Sequence, residues 1–201
     1  IIDTDDQKAL VKECLKELGL EEKQLPPRSV MSEISFAKDN LVTPAEYMLD
    51  FADDYRKKQI AKVYALYQQK LKTANDLDFD DLIMLTVKLF QENEDVLEFY
   101  RNKFKYILVD EYQDTNKAQN ELIILLAGEH RNLCVVGDDD QSIYKFRGAD
   151  ITNILDFEKA FYDLFLVVIQ LGAILAVVMI YWNKLFPFSF KKGERFIKKD
   201  I

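Results

Sequence analysis

Tyr106-Ile107-Leu108-Val109-Asp110-Glu111-Tyr112-Gln113-Asp114-Thr115 is the stretch on which the fold turns. A short apolar run, with β-branched Ile107 and Val109, leads straight into two carboxylates. It is too short for a buried helix and reads as a strand. A second such run, Leu133-Cys134-Val135-Val136, ends in Gly137-Asp138, and the segment between them, Lys117 to Ala127, has a helical pattern. Strand, helix, strand at this spacing predicts a parallel α/β unit with strands over 105–109 and 132–136, both buried. Ligands of such sheets sit beyond the carboxyl ends of the strands, where both acidic clusters fall.

Working upstream, Asp76-Leu77-Asp78-Phe79-Asp80-Asp81 opens a helix whose expected apolar face is Leu82, Leu85, Leu89 and Phe90. An acidic run can suggest a metal site. No EF-hand spacing follows, however, and acids ahead of an apolar helix compensate its dipole, which favours capping. Residues 1–75 read as helices. Thr4 with Gln7 is a capping-box pattern ahead of an apolar face of Leu10, Val11, Cys14, Leu15 and Leu18. Gly19 ends that helix, and Pro26-Pro27 prevents its continuation. Thr43-Pro44-Ala45-Glu46 marks another helix start. Ile60, Val63, Tyr64, Tyr67 and Leu71 make a stripe on a longer helix, read as core rather than binding surface.

The chain has 201 residues, 49% of them hydrophobic and 31% charged, which excludes wholesale disorder. Cys14 and Cys134, far apart, give no disulfide framework, and a lone His130 excludes any two-histidine zinc site. The net charge of −8 argues against a broadly basic nucleic-acid coat, though not against a local groove. The charge is unevenly spread: residues 161–201 carry a balance of +3 and the first 160 residues −11. Residues 164–183, LFLVVIQLGAILAVVMIYWN, hold no charge at all. As a helix they would reach ~30 Å, enough for a bilayer. Tyr181-Trp182 and the basic residues after it suit an interface. The alternative is a buried core helix, but the apolar character runs all round rather than along a stripe.

An apolar strand ending in Asp-Glu is the Walker-B arrangement. Asp110 would hold Mg²⁺ bridging nucleotide phosphates, and Glu111 would orient and polarise the attacking water. The plainer alternative is a cap on the next helix. None of the glycines, Gly19, Gly128, Gly137, Gly148, Gly172 and Gly193, stands in GxxxxGK[ST], the loop that cradles phosphates.

Asp110 to Thr115, followed by Gly137-Asp138-Asp139-Asp140-Gln141-Ser142-Ile143-Tyr144-Lys145-Phe146-Arg147-Gly148-Ala149-Asp150, closely resembles motifs II and III of the UvrD/PcrA/Rep-type superfamily 1 DNA helicases. The resemblance extends back through Leu77-Asp78-Phe79-Asp80-Asp81-Leu82 and covers roughly residues 1–159. It implies a helix-rich α/β fold: a partial RecA-like P-loop NTPase core with a parallel sheet over 76–160, and an inserted helical subdomain over 1–75. A hydrophobic, membrane-type helix and basic tail would follow over 161–201. It further implies that Asp110 and Glu111 serve Mg²⁺ and water, and that Gln141 contacts the terminal phosphate and reports it to the DNA site. Tyr144 and Phe146 would form pockets for single-strand bases with Arg147 nearby, and Lys145 adds a phosphate contact. Outside this motif those aromatics would read as ordinary packing. The implied cofactors are ATP and Mg²⁺, the partners single-stranded and duplex DNA, the polarity 3′ to 5′ and the location cytoplasmic. The expectation is a fragment that begins downstream of the glycine loop and ends before the family's later motifs, and so neither hydrolyses ATP appreciably nor unwinds DNA alone.

Phe165 to Val178, Tyr181-Trp182 and Lys184-Leu185-Phe186-Pro187-Phe188-Ser189 are similar to an early transmembrane segment of the bacterial undecaprenyl-diphosphatase (BacA/UppP) family. That family's glutamate-rich and Ser-Ser-Thr-Gly-His motifs are absent, so this resemblance over 161–195 implies origin rather than activity. Two partial resemblances that abut imply a fusion of gene fragments, with possible membrane association through 164–183. Two other readings stand beside the helicase fragment: a membrane-protein fragment related to the lipid diphosphatase, and a non-catalytic DNA-binding module.

Overall fold

The computed structural model describes residues 1–128, 132–137 and 152–153. All of these belong to one unit, Ile1–Ile154. Its elements are α1 (Thr4–Glu17), α2 (Pro27–Asp39), α3 (Pro44–Asp50), α4 (Tyr55–Ala74), α5 (Phe79–Glu92), α6 (Glu94–Lys103), β1 (Ile107–Val109), a 3₁₀ turn (Tyr112–Asp114), α7 (Lys117–Ala127) and β2 (Leu133–Val135). The described part is therefore helix-rich with a small parallel sheet, as expected.

Local chemistry accounts for the helix ends. The cap of α1 is Asp3 rather than Thr4: its carboxylate accepts the backbone N–H groups of Asp5 and Asp6 at 2.9 Å each, and Thr4 is already helical. An anionic acceptor at the positive end of the helix outcompetes a hydroxyl one residue later. Gly19 follows α1 in the left-handed region, φ +66°, where a side chain would strain the backbone. Pro27 opens α2. Thr43 and Glu46 form the capping box of α3, the Glu46 carboxylate accepting the Thr43 N–H at 2.8 Å.

The expected stripe on α4 is the inner wall of the helical core. Ile60, Val63, Tyr64, Tyr67 and Leu71 are all buried and meet Val11, Cys14 and Leu15 of α1, Val30, Ile34 and Ala37 of α2, and Tyr47 of α3. Burial pushes the Cys14 thiol up to about 11, so this cysteine is an inert core residue, whereas Cys134 is exposed.

Two expectations fail. The buried face of α5 is Asp81, Met84, Val87 and Phe90, while Leu82, Leu85 and Leu89 are exposed, Leu89 at 45%. The helix is turned because Asp78 and Asp81 are drawn inward by a buried lysine, and the side chains that follow them at helical spacing go in with them. The strands are also not buried on both faces. β1 and β2 pair in parallel with Ile107 opposite Leu133, Leu108 opposite Cys134 and Val109 opposite Val135. Leu108 is 78% exposed and Cys134 lies out beside it, while their neighbours along each strand are half-buried. No described element covers the pleat face that carries Leu108 and Cys134, so alternation replaces double burial.

The expected hydrophobic helix over 164–183 lies outside the described residues, as do Gln141, Tyr144, Lys145, Phe146 and Arg147. Among the described residues no helix is long and apolar enough to cross a membrane.

Candidate functional site

The sheet delivers Asp110 and Glu111 together at the carboxyl end of β1, both exposed. The Asp110 Oδ1 accepts the N–H of Glu111 at 2.9 Å. Glu111 adopts φ 52°, ψ 44°, a left-handed conformation that costs a non-glycine residue roughly 1–3 kcal/mol and persists only where its surroundings enforce it. The enforcement is visible. The Tyr112 N–H donates to the Val136 carbonyl at 2.9 Å, tying the turn to the end of β2. The Asp114 N–H closes back on the Glu111 carbonyl at 2.9 Å, and the Thr115 hydroxyl donates to the Tyr112 carbonyl at 2.7 Å. The Gln113 amide Nε2 donates to Glu111 Oε2 at 2.6 Å.

A polar network backs this turn. The Tyr112 hydroxyl donates to Asn120 Oδ1 at 2.5 Å, and Asn120 Nδ2 donates to Asn153 Oδ1 at 3.1 Å. Asn153 Nδ2 in turn donates to the Thr115 carbonyl at 3.0 Å. Asn116 caps α7 through a reciprocal box with Gln119 and donates its amide to Asp39 Oδ1 of α2 at 2.6 Å. Asp39 lies in a cleft of about 970 Å³ that Phe36, Phe79, Asp80 and Asp114 also line. Burial, and then the charge of Asp80, push the Asp39 carboxyl up to about 6. Asp80 is itself raised, chiefly by burial.

Asp110 and Glu111 take part in no ion pair among the described residues. They present hard oxygen donors to solvent, which suits Mg²⁺ held by one or two carboxylates together with phosphates and water. An all-protein metal cage is not formed: no group of three or more candidate ligands occurs among the described residues.

The other acidic run is of a different kind. Asp78 and Asp81 form a capping box on α5, with Asp78 Oδ1 accepting the Asp81 N–H at 2.8 Å. Both also bind the ammonium of Lys38, at 2.6 Å and 2.8 Å, in a site where all three side chains are buried. Tyr67 donates its hydroxyl to Asp78 at 2.8 Å and Gln68 its amide to Asp81 at 2.8 Å. Burial alone would raise the Asp78 carboxyl, but the charge and hydrogen bond of Lys38, with the Asp81 N–H and Tyr67, hold it below the ordinary carboxylate range. Capping was the favoured reading of this run; Lys38 was missed. Its signal was a lysine four residues after Ile34, on the apolar face of α2. Gln113, Asn120 and Asn153 were also missed, because their roles depend on the turn and not on a residue pattern.

The UvrD/REP helicase N-terminal domain family model matches residues 1–162. The chain is 54% identical over 159 residues to the ATP-dependent DNA helicase PcrA of Staphylococcus aureus, covering 79% of this chain and 22% of that protein. It is 55% identical over 159 residues to PcrA of Bacillus subtilis, covering 79% and 21%, and 52% identical over the same length to PcrA of Staphylococcus epidermidis, covering 79% and 22%. The chain thus spans about a fifth of the length of the curated relatives it matches.

Proposed function

The chain belongs to the UvrD/REP helicase N-terminal domain family, and from that premise we propose that it carries the metal-and-water edge of an ATP-dependent 3′ to 5′ DNA helicase motor. Residues 76–160 form part of a RecA-like P-loop NTPase core, and residues 1–75 a helical subdomain inserted into it. The observation that supports this reading best is the exposed Asp110–Glu111 pair at the carboxyl end of a parallel strand pair, with Glu111 held in a left-handed turn. Asp110 would hold Mg²⁺, which when bound neutralises charge on the nucleotide phosphates. Glu111 accepts a hydrogen bond from the attacking water and so orients it. Gln141 meets the terminal phosphate. Tyr144 and Phe146 stack single-strand bases, and Arg147 neutralises backbone phosphate.

No GxxxxGK[ST] loop occurs in the 201 residues, so a cradle for the phosphates must come from residues other than these. The chain alone should therefore release no phosphate from ATP above background, while Tyr144, Phe146 and Arg147 would let it bind single-stranded DNA. The test measures both with the purified chain. Single-strand binding, read by fluorescence anisotropy, should weaken about 5- to 150-fold in Tyr144→Ala and Phe146→Ala, since one base stack contributes ~1–3 kcal/mol. Phosphate release should stay at background. DNA-stimulated release abolished by Glu111→Gln would overturn the inactivity, and an absence of DNA binding would overturn the DNA reading.

A second reading rests on residues 164–183, which carry no charged side chain. We propose that this segment associates with membranes and that 161–201 descends from a BacA/UppP-type protein fused to a cytoplasmic helicase fragment. Membrane fractionation tests the first clause, and sequencing the source DNA across codons 155–168 tests the second.

A further inference from the structure

We infer that Gln113 is a positioning residue for the Glu111 carboxylate, an assignment that rests on reading Asp110–Glu111 as the water-orienting edge. An exposed glutamate turns freely about three side-chain bonds, and a base that must meet one water in one place is poorly served by that freedom. Here the freedom is removed from inside the protein. Gln113 is 1% exposed and sits on the 3₁₀ turn, which the Tyr112 N–H fastens to β2. Its amide donates to Glu111 Oε2 at 2.6 Å. The left-handed backbone at Glu111 brings the two side chains within reach across only two residues.

The chemistry of the donor matters as much as its place. One carboxylate oxygen is committed to the amide, while Oε1 has no hydrogen-bond partner among the described residues and is left to accept from a ligand. A neutral amide orients the carboxylate without the strong stabilisation of the anion that a lysine or arginine would bring. The buried Lys38 cluster shows the contrary arrangement, in which a cation holds the carboxylates and leaves none of them exposed. Orientation without neutralisation is what a proton-accepting group requires.

The test uses the full chain, isotopically labelled, and reads side-chain order by NMR. In the parent protein the Glu111 Cβ and Cγ couplings should report a single rotamer, and one Gln113 side-chain amide proton should resonate downfield and exchange slowly. In Gln113→Met, which keeps volume and loses the donor, the Glu111 couplings should average over rotamers while the Tyr112 and Val136 amides keep their shifts. Should that variant fail to fold, Glu111→Ala supplies the converse: the Gln113 amide proton should move upfield to an ordinary position and exchange quickly. Glu111 couplings already averaged in the parent, or unchanged in Gln113→Met, would overturn the assignment, as would a Gln113 proton indifferent to Glu111→Ala. Failure of the underlying site reading looks different: added Mn²⁺ would leave the Asp110 signals sharp without altering any of these couplings.

Discussion

Two acidic stretches of this chain have nearly the same composition and opposite fates. Asp78-Phe79-Asp80-Asp81 starts α5, and two of its carboxylates are buried around Lys38 with Tyr67 and Gln68 completing their hydrogen bonds. Asp110-Glu111-Tyr112-Gln113-Asp114 follows β1, and its leading pair stays in solvent, organised by one backbone N–H and one buried amide. In the first cluster Asp78 and Asp81 are paired and hydrogen-bonded internally. The second is oriented but unsatisfied. What separates the two clusters is whether the protein supplies its own cation.

The largest way to break that contrast is to remove the cation. Lys38→Met should destabilise the chain by ~3–5 kcal/mol, because Asp78 and Asp81 are left buried and unpaired. The loss is read by chemical denaturation, and one below about 1 kcal/mol would mean the pair is not buried as charge. Next in size is Leu15→Ala in the helical core, expected to cost ~2–5 kcal/mol in the same experiment.

Acidification sharpens the contrast, because a buried and a half-buried acid respond with opposite sign. Asp78 is held below its unfolded value, so its contribution is present above that value and is lost as the pH falls through the folded one. Asp39 is raised from 3.8 to about 6, so the folded chain keeps a proton that the unfolded chain releases, and stability falls as the pH rises across that interval. Asp39→Asn should therefore stabilise the chain at pH 7 by on the order of 1 kcal/mol, an amount reduced by solvent at this half-exposed group, and should flatten the pH dependence above about 4. Equal gains at pH 4 and pH 7 would contradict the assignment. The smallest effect is expected at Leu108→Ala: on the open pleat face it should shift stability by no more than ~0.5 kcal/mol. A loss comparable to that at Leu15 would show that something covers this face.

The parts of the fold readable from sequence are those where a single physical demand sets the pattern. The stripe on α4 could be read because every inward position is apolar at helical spacing. The same rule misread α5, where the inward face begins with two carboxylates whose shared partner, Lys38, lies far back on α2. Ile107-Leu108-Val109 announced a strand but not its exposure, since a continuous apolar run does not say which pleat face is open. At the candidate site, the placement of Asp110 and Glu111 side by side at a strand end could be read in advance from the apolar run that precedes them. The hold of Gln113 on Glu111 could not, because it depends on a left-handed residue that the motif does not advertise.

A manganese relaxation titration of the labelled chain in the presence of ATP tests the central claim most directly. Broadening should begin at Asp110 and Glu111, spare Asp78 and Asp81, and vanish in Asp110→Asn. Broadening that starts at the α5 cluster, or survives Asp110→Asn, would contradict the assignment of the strand-tip carboxylates as the metal edge of the site.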